Sequence, residues 1–133
     1  MKKITSLILT IAVVLGFTAC SGNSDKLEVL DWTPSEIYTD EEVMAAIDTV
    51  CTDFRHWKGC TLETITYAGD EVSQAHIDWA ARYDCDETLV LVSSFSTNSS
   101  PEEPLEKNET YDNYKWILVR RDGGDWSHVD HGY

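Results

Sequence analysis

Basic residues are scarce in this chain: ten Lys and Arg stand against 24 Asp and Glu, for a formal net charge of −14. Nucleic-acid binding is excluded on that ground, because phosphate must be neutralised by Lys and Arg. Lying flat on an anionic lipid surface is disfavoured for the same reason. No Gly-x-Gly-x-x-Gly and no phosphate-loop pattern is present, which argues against nucleotide chemistry, and no Gly-x-Ser-x-Gly marks a serine nucleophile. No Cys/His pair has zinc-ligand spacing. There is no apolar run of the ~20 residues needed to cross a bilayer as a helix.

Against these absences stands a marked N-terminus. Lys2 and Lys3 precede an apolar stretch from Ile4 to Phe17, about the length of a signal-peptide core. The stretch ends Phe17-Thr18-Ala19-Cys20, followed by Ser21-Gly22-Asn23-Ser24. This resembles the lipobox of bacterial lipoproteins, with Phe17 standing where that family usually has Leu. The resemblance implies a Cys20 carrying diacylglycerol after cleavage, with membrane lipid held through the acyl anchor. Two acyl chains hold firmly where one is marginal, each buried methylene contributing about 0.8 kcal/mol. The expected organisation is a signal peptide over 1–19, a lipidated tether over 20–37 and a single domain over 38–133. The expected place is the outer face of the bacterial cytoplasmic membrane, or the medium if the box is not used. Loss of residues 1–19 removes two lysines and no acid, so the net charge becomes about −16.

Five Trp, six Tyr and three Phe supply core-forming residues. Thr39-Asp40-Glu41-Glu42 has capping-box spacing. Val43, Ala46, Ile47, Val50, Phe54 and Trp57 then recur on one face, predicting a core-facing helix over about 40–58 that stops at Gly59. Cys60 to Tyr67 alternates as a strand. Asp70-Glu71 opens a second helical pattern with Val72, Ala75, Trp79, Ala80 and Tyr83 on its face. Thr88–Phe95 and Tyr114–Arg121 read as strands, and Asp122-Gly123-Gly124 turns into a strand from Asp125 to Asp130. Residues 96–113, with two prolines and clustered acids, read as a long solvated loop. The expectation is α+β: a long N-terminal helix packed on a curved antiparallel sheet.

The run Trp116-Ile117-Leu118-Val119-Arg120, then Gly123-Gly124, Trp126 and the ending Val129-Asp130-His131-Gly132-Tyr133, resembles the tail of small uncharacterised lipoproteins of Gram-positive gut bacteria. Those proteins look like short members of the NTF2-like (cystatin-like) architecture. The resemblance implies that fold and carries almost no functional residue with it. Domains of this architecture include isomerases, dehydratases and many binding modules, so it leaves function open.

With Cys20 lipidated, Cys51, Cys60 and Cys85 remain, enough for one bridge in an export context. Cys51–Cys60 ranks first and Cys60–Cys85 second, spacing alone leaving the connectivity open. Asp84-Cys85-Asp86 flanks its thiol with acids, which suppress thiolate and argue against a catalytic cysteine. His128, Asp130 and His131 read as a solvated strand end, since strict alternation points His131 away from the other two. No metal and no other cofactor is expected. His56 and His76 read as surface or helix-capping residues. An isomerase or lyase reading needs a buried carboxylate, for which Asp130 or Asp48 is the candidate, with Tyr83, Tyr114 or Trp116 as pocket wall. Alternation puts Tyr114, Trp116 and Leu118 on one side of their strand and Lys115, Ile117 and Val119 on the other. Both sides are then largely apolar, which hints at a pocket or partner surface built from Tyr114, Trp116 and Trp126. The leading expectation is a tethered domain that binds a small ligand or an envelope protein, with self-association through an open sheet face as a variant. The alternatives are the carboxylate enzyme and an inhibitor or regulator acting through the 96–113 loop.

Overall fold

A computed structural model describes residues 27–133; the expected signal segment over 1–19 and Cys20 lie outside them. Among the described residues, five strands form one sheet in the order β1-β2-β3-β4-β5: Glu28–Val29, Cys60–Tyr67, Glu87–Thr97, Thr110–Arg120 and Ser127–Gly132. Three helices accompany them: α1 (Asp40–Phe54), α2 (Asp70–Ala75) and α3 (Asp78–Arg82). The class is α+β. The sheet is mixed, not wholly antiparallel: β1 runs parallel to β2, and the other neighbours are antiparallel. The parallel step follows from α1, which carries the chain from the end of β1 back to the start of β2.

Thr39 and Glu42 form the reciprocal cap their spacing predicts: the Thr39 hydroxyl accepts from Glu42 N–H, and the Glu42 carboxylate accepts from Thr39 N–H. α1 ends at Phe54, four residues before the expected stop. His56 and Trp57 donate to carbonyls three residues back, tightening the chain into a turn that reaches Gly59 at φ +72°. Val43, Ala46, Ile47 and Val50 are fully buried against the sheet face made by Leu62, Ile65, Leu89, Leu91, Trp116 and Leu118.

The other sheet face is covered at one end by the chain itself. Val90, Ile117 and Val119 are buried outside the main core, and α2 and α3 lie against β3 and β4 there, with Ala80 buried. The two apolar sides of β4 therefore need no outside partner. The second helical pattern is broken at His76-Ile77, where the bonds shorten to three-residue turns. Ser73 Oγ accepts from Val90 N–H, which fixes α2 to the sheet by a polar residue instead of its Val72 face. Tyr83 is consequently exposed, and Trp79 stacks on it under the Arg82 guanidinium.

Residues 27–37 belong to the domain and not to a tether. Leu27, Val29 and Trp32 pack against the core, and Asp70 accepts from Ser35 Oγ, Glu36 N–H and Tyr67 OH. The long loop is likewise shorter than expected: β3 continues to Thr97 and β4 begins at Thr110. The connection is pinned, with Thr97 Oγ1 donating to Glu106 O and accepting from Glu109 N–H, and Leu105 packed on the core.

Candidate functional site

Strand alternation fails in β2 at Glu63 and at two further places, each of which builds part of one cluster. Phe95 pairs with Tyr111 and Ser93 with Tyr114, so Asp112 and Asn113 together oppose Ser94. Asn113 takes φ +57°, which Asn tolerates better than most residues. The extra residue puts Tyr111 and Tyr114 on the same face, with ring centroids 6.1 Å apart. The same device recurs in β5: His128 pairs with Leu118 and Asp130 with Ile117, so Val129 is the extra residue. His131, opposite Trp116, then returns to the face that carries His128. The expectation that His131 points away is corrected by that single insertion.

The two histidines meet. His128 Nε2 lies 3.1 Å from His131 Nδ1, and His128 Nδ1 lies 3.0 Å from Asp53 Oδ2 in the last turn of α1. A carboxylate only accepts, so His128 Nδ1 carries the proton of that bond. The His128 side chain is 10% exposed, while His131 opens to solvent. Rings hold both in place: His131 lies edge-on to Trp57 at 4.8 Å, and Trp116 sits 5.0 Å from His128. Burial, then the neighbouring His128, push the His131 pKa below its ordinary value, with Asp130 opposing. Burial raises the Tyr114 hydroxyl, and nearby Tyr133 adds to it.

Tyr114, Trp116 and Trp126 do not form an open surface; they are 8%, 0% and 7% exposed and belong to the core beneath α1. Trp116 Nε1 donates to Ser93 Oγ at 2.7 Å, and Trp126 Nε1 to Glu42 O at 3.1 Å, so each indole polar group is satisfied internally. The Cys51–Cys60 bridge is not formed, nor is Cys60–Cys85: Cys60 and Cys85 are free thiols. The turn after α1 is packed with rings, Phe54 stacking on Trp57 and both meeting Phe95, while Cys60 Sγ is directed back at Lys58 O. Cys20, the expected lipidation site, lies outside the described residues. His76 Nδ1 faces Val72 O within its own helix turn.

The chemistry open to this cluster is limited by what His128 faces. Asp53 and His128 have the orienter–base geometry of a nucleophilic site, but Nε2, where a hydroxyl or thiol would sit, is occupied by His131. Of the walls proposed for a carboxylate cone, Tyr114 and Trp116 are core and Tyr83 is exposed. Burial raises the Asp48 carboxyl, yet it lies half-buried on α1, and Asp130 lies half-buried on the edge strand β5. Among the described residues no three His, Cys, Asp or Glu side chains converge as a metal-binding group. No helix there is long and apolar enough to cross a membrane. No protein-family model matches the chain, and neither a curated protein nor a solved structure does.

Proposed function

We propose that this chain is an exported, lipid-anchored domain of NTF2-like form that binds rather than catalyses, held at the outer face of the cytoplasmic membrane. One observation carries the choice of binding over catalysis. The aromatic side chains that would wall a catalytic cone are consumed by packing under α1, with Trp116 wholly buried. A helix laid across one face of a strand meander is compatible with the NTF2-like form. The anchor rests on Lys2, Lys3, the apolar stretch and the Thr18-Ala19-Cys20 ending. The binding surface moves from Tyr114, Trp116 and Trp126 to the β5 edge, where His131 and Tyr133 face solvent beside those buried rings.

Metabolic labelling of the full chain with a radioactive fatty acid in a bacterial host tests the anchored reading. Incorporation that is lost in Cys20→Ser is expected, with the unlabelled variant recovered outside the membrane fraction. An unlabelled wild-type chain would sink it. For the surface, a photo-crosslinking residue at position 133 is expected to yield a discrete adduct in intact cells, and the same residue at position 83 none. Equal adducts from both positions, or none from either, would remove the assignment to β5.

A further inference from the structure

We propose that His128 Nε2 and His131 Nδ1 form a two-nitrogen site for a divalent transition-metal ion, Cu(II) in preference to Zn(II), with Asp53 as its positioning carboxylate. The inference stands on the histidine geometry and does not rest on the anchored reading.

Two imidazole nitrogens 3.1 Å apart match a shared ion closely. With metal–nitrogen bonds of about 2.05 Å, that separation subtends roughly 98° at the metal. That angle lies between the 90° of a square-planar or tetragonal ion and the 109° of a tetrahedral one and admits either; Cu(II) is preferred because it heads the affinity order for nitrogen donors. Two rings directed at one such ion would have centroids roughly 4.8 Å apart by the same geometry, and here they stand 5.1 Å apart. In the metal-free pair His131 Nδ1 donates to His128 Nε2, so binding takes His131 to the tautomer protonated at its own Nε2, and a small tilt then brings both lone pairs onto the ion.

The surroundings favour that state. Asp53 accepts from His128 Nδ1, which leaves Nε2 as the lone-pair nitrogen, the carboxylate–histidine–metal arrangement that orients ligands and raises their basicity. The rings of Trp57 and Trp116 hold the imidazoles where the bulge at Val129 puts them. His131 is solvent-exposed, giving an ion an entry path. A chain of net charge −14 attracts a dication. Because no third side chain among the described residues converges, the remaining positions are open to water or to a donor brought by a partner.

The test titrates the full chain, purified in detergent and stripped with chelator, with Cu(II) chloride alone, read by calorimetry and electron paramagnetic resonance. One saturable equivalent is expected, its spectrum showing coupling to two imidazole nitrogens, with Zn(II) binding more weakly. His131→Gln, at an exposed position and checked for an unchanged fold by circular dichroism, is expected to remove one nitrogen coupling and weaken binding at least tenfold. Asp53→Asn is expected to weaken it about tenfold, the usual effect of losing such a second partner. His56→Gln with His76→Gln should leave both readouts unchanged. No saturable equivalent, a His131→Gln protein that binds and couples like wild type, or Zn(II) binding tighter than Cu(II) would each overturn the proposal. If His128→Gln fails to fold by circular dichroism, the His131→Gln comparison decides alone.

Discussion

Arg120 ends β4 with a buried guanidinium that ties three elements together. It is ion-paired to Glu42 of the α1 cap and to Glu87 at the start of β3, the latter at 3.0 Å. It also lies over the Trp126 ring at 4.4 Å, with Tyr38 at 5.7 Å. Removing one partner of a buried pair costs about 3–5 kcal/mol when the other is left uncompensated. Here Glu42 and Glu87 keep 30% and 28% of their side-chain surface, so both regain water and the cost falls. Loss of the ring contacts adds about 0.5–1 kcal/mol. Arg120→Met is therefore expected to destabilise by roughly 2–3 kcal/mol, lowering Tm by roughly 8–12 °C at about 4 °C per kcal/mol. Glu42→Gln separates the ion pair from the cap, since Gln at this position still reaches back to the Thr39 N–H; about 1 kcal/mol is expected. The pH dependence checks the cause. Burial works against ionised Glu42, but the Thr39 N–H and Arg120 outweigh it, and its carboxyl lies below the ordinary 4.5. A depressed folded pKa stabilises above the unfolded value, and that contribution fades as pH falls through the folded one. Thermal melts of wild type from pH 7 to pH 3 should lose this increment, and Arg120→Met should lose less. A variant within 0.5 kcal/mol of wild type at pH 7, or one with the same acid slope, would refute the coupling.

Gly59→Ala is expected to cost about 2 kcal/mol or more in denaturant unfolding: φ is +72°, and a Cβ would stand 2.6 Å from Ser100 O and 2.7 Å from the Pro101 Cα. A cost under about 0.5 kcal/mol would mean that the 98–109 connection is not held against Gly59. Asp70→Asn should free residues 35–36 from the end of β2. Hydrogen exchange at Glu36 should accelerate in it, and the Tyr67 hydroxyl, pushed up to about 12 chiefly by burial, should ionise at a lower pH in an ultraviolet titration. Unchanged exchange would discount the Asp70 tie. Burial holds the Cys60 thiol above its ordinary value, so its labelling by a disulfide reagent in Cys85→Ser should be slow at pH 7 and quicken with rising pH. Failure to label without reductant would contradict the free thiol.

What was legible in the residues is what depends on local chemistry. The Thr39/Glu42 cap needs two side chains three apart, and β2 needs a Thr- and Ile-rich run bounded by Gly59 and Ala68-Gly69; both could be read, but not the bulge at Glu63 that sets Leu62 on the face of Ile65. Residues 96–97 and 110–113 could not be placed in strands, because Ser, Thr, Asp and Asn resemble a loop until Thr97 binds across the hairpin. β1 is two residues long and is defined only by its parallel pairing with Thr64 and Ile65. Residues 70–83 lost their helical face because Ser73, a polar residue, docks on Val90 N–H. The histidine site failed for a different reason. Alternation assumes one residue per step, and one inserted residue reverses every assignment after it. Asn113 offers a weak signal for the first bulge, since Asn tolerates positive φ. Val129 offers none, so alternation alone sends His128 and His131 to opposite faces.

The same correction shortens the tether. If the chain is anchored at Cys20, the first residue packed on the core is Leu27, and only residues 21–26 separate the two. At most about 3.6 Å per residue, that spacer reaches roughly 25 Å. The expected eighteen-residue tether would have allowed more than twice that reach. A domain of net charge about −16 therefore has to stand near a surface of its own sign. Screening makes this tolerable: at physiological salt the potential decays over ~8 Å, so a spacer of that reach spans about three decay lengths. Repulsion then favours a domain held off the lipid, and it weakens as salt rises. In the anchored state, the reach of the spacer caps the height at which the β5 edge is presented, and charge sets how far toward that cap the domain stands.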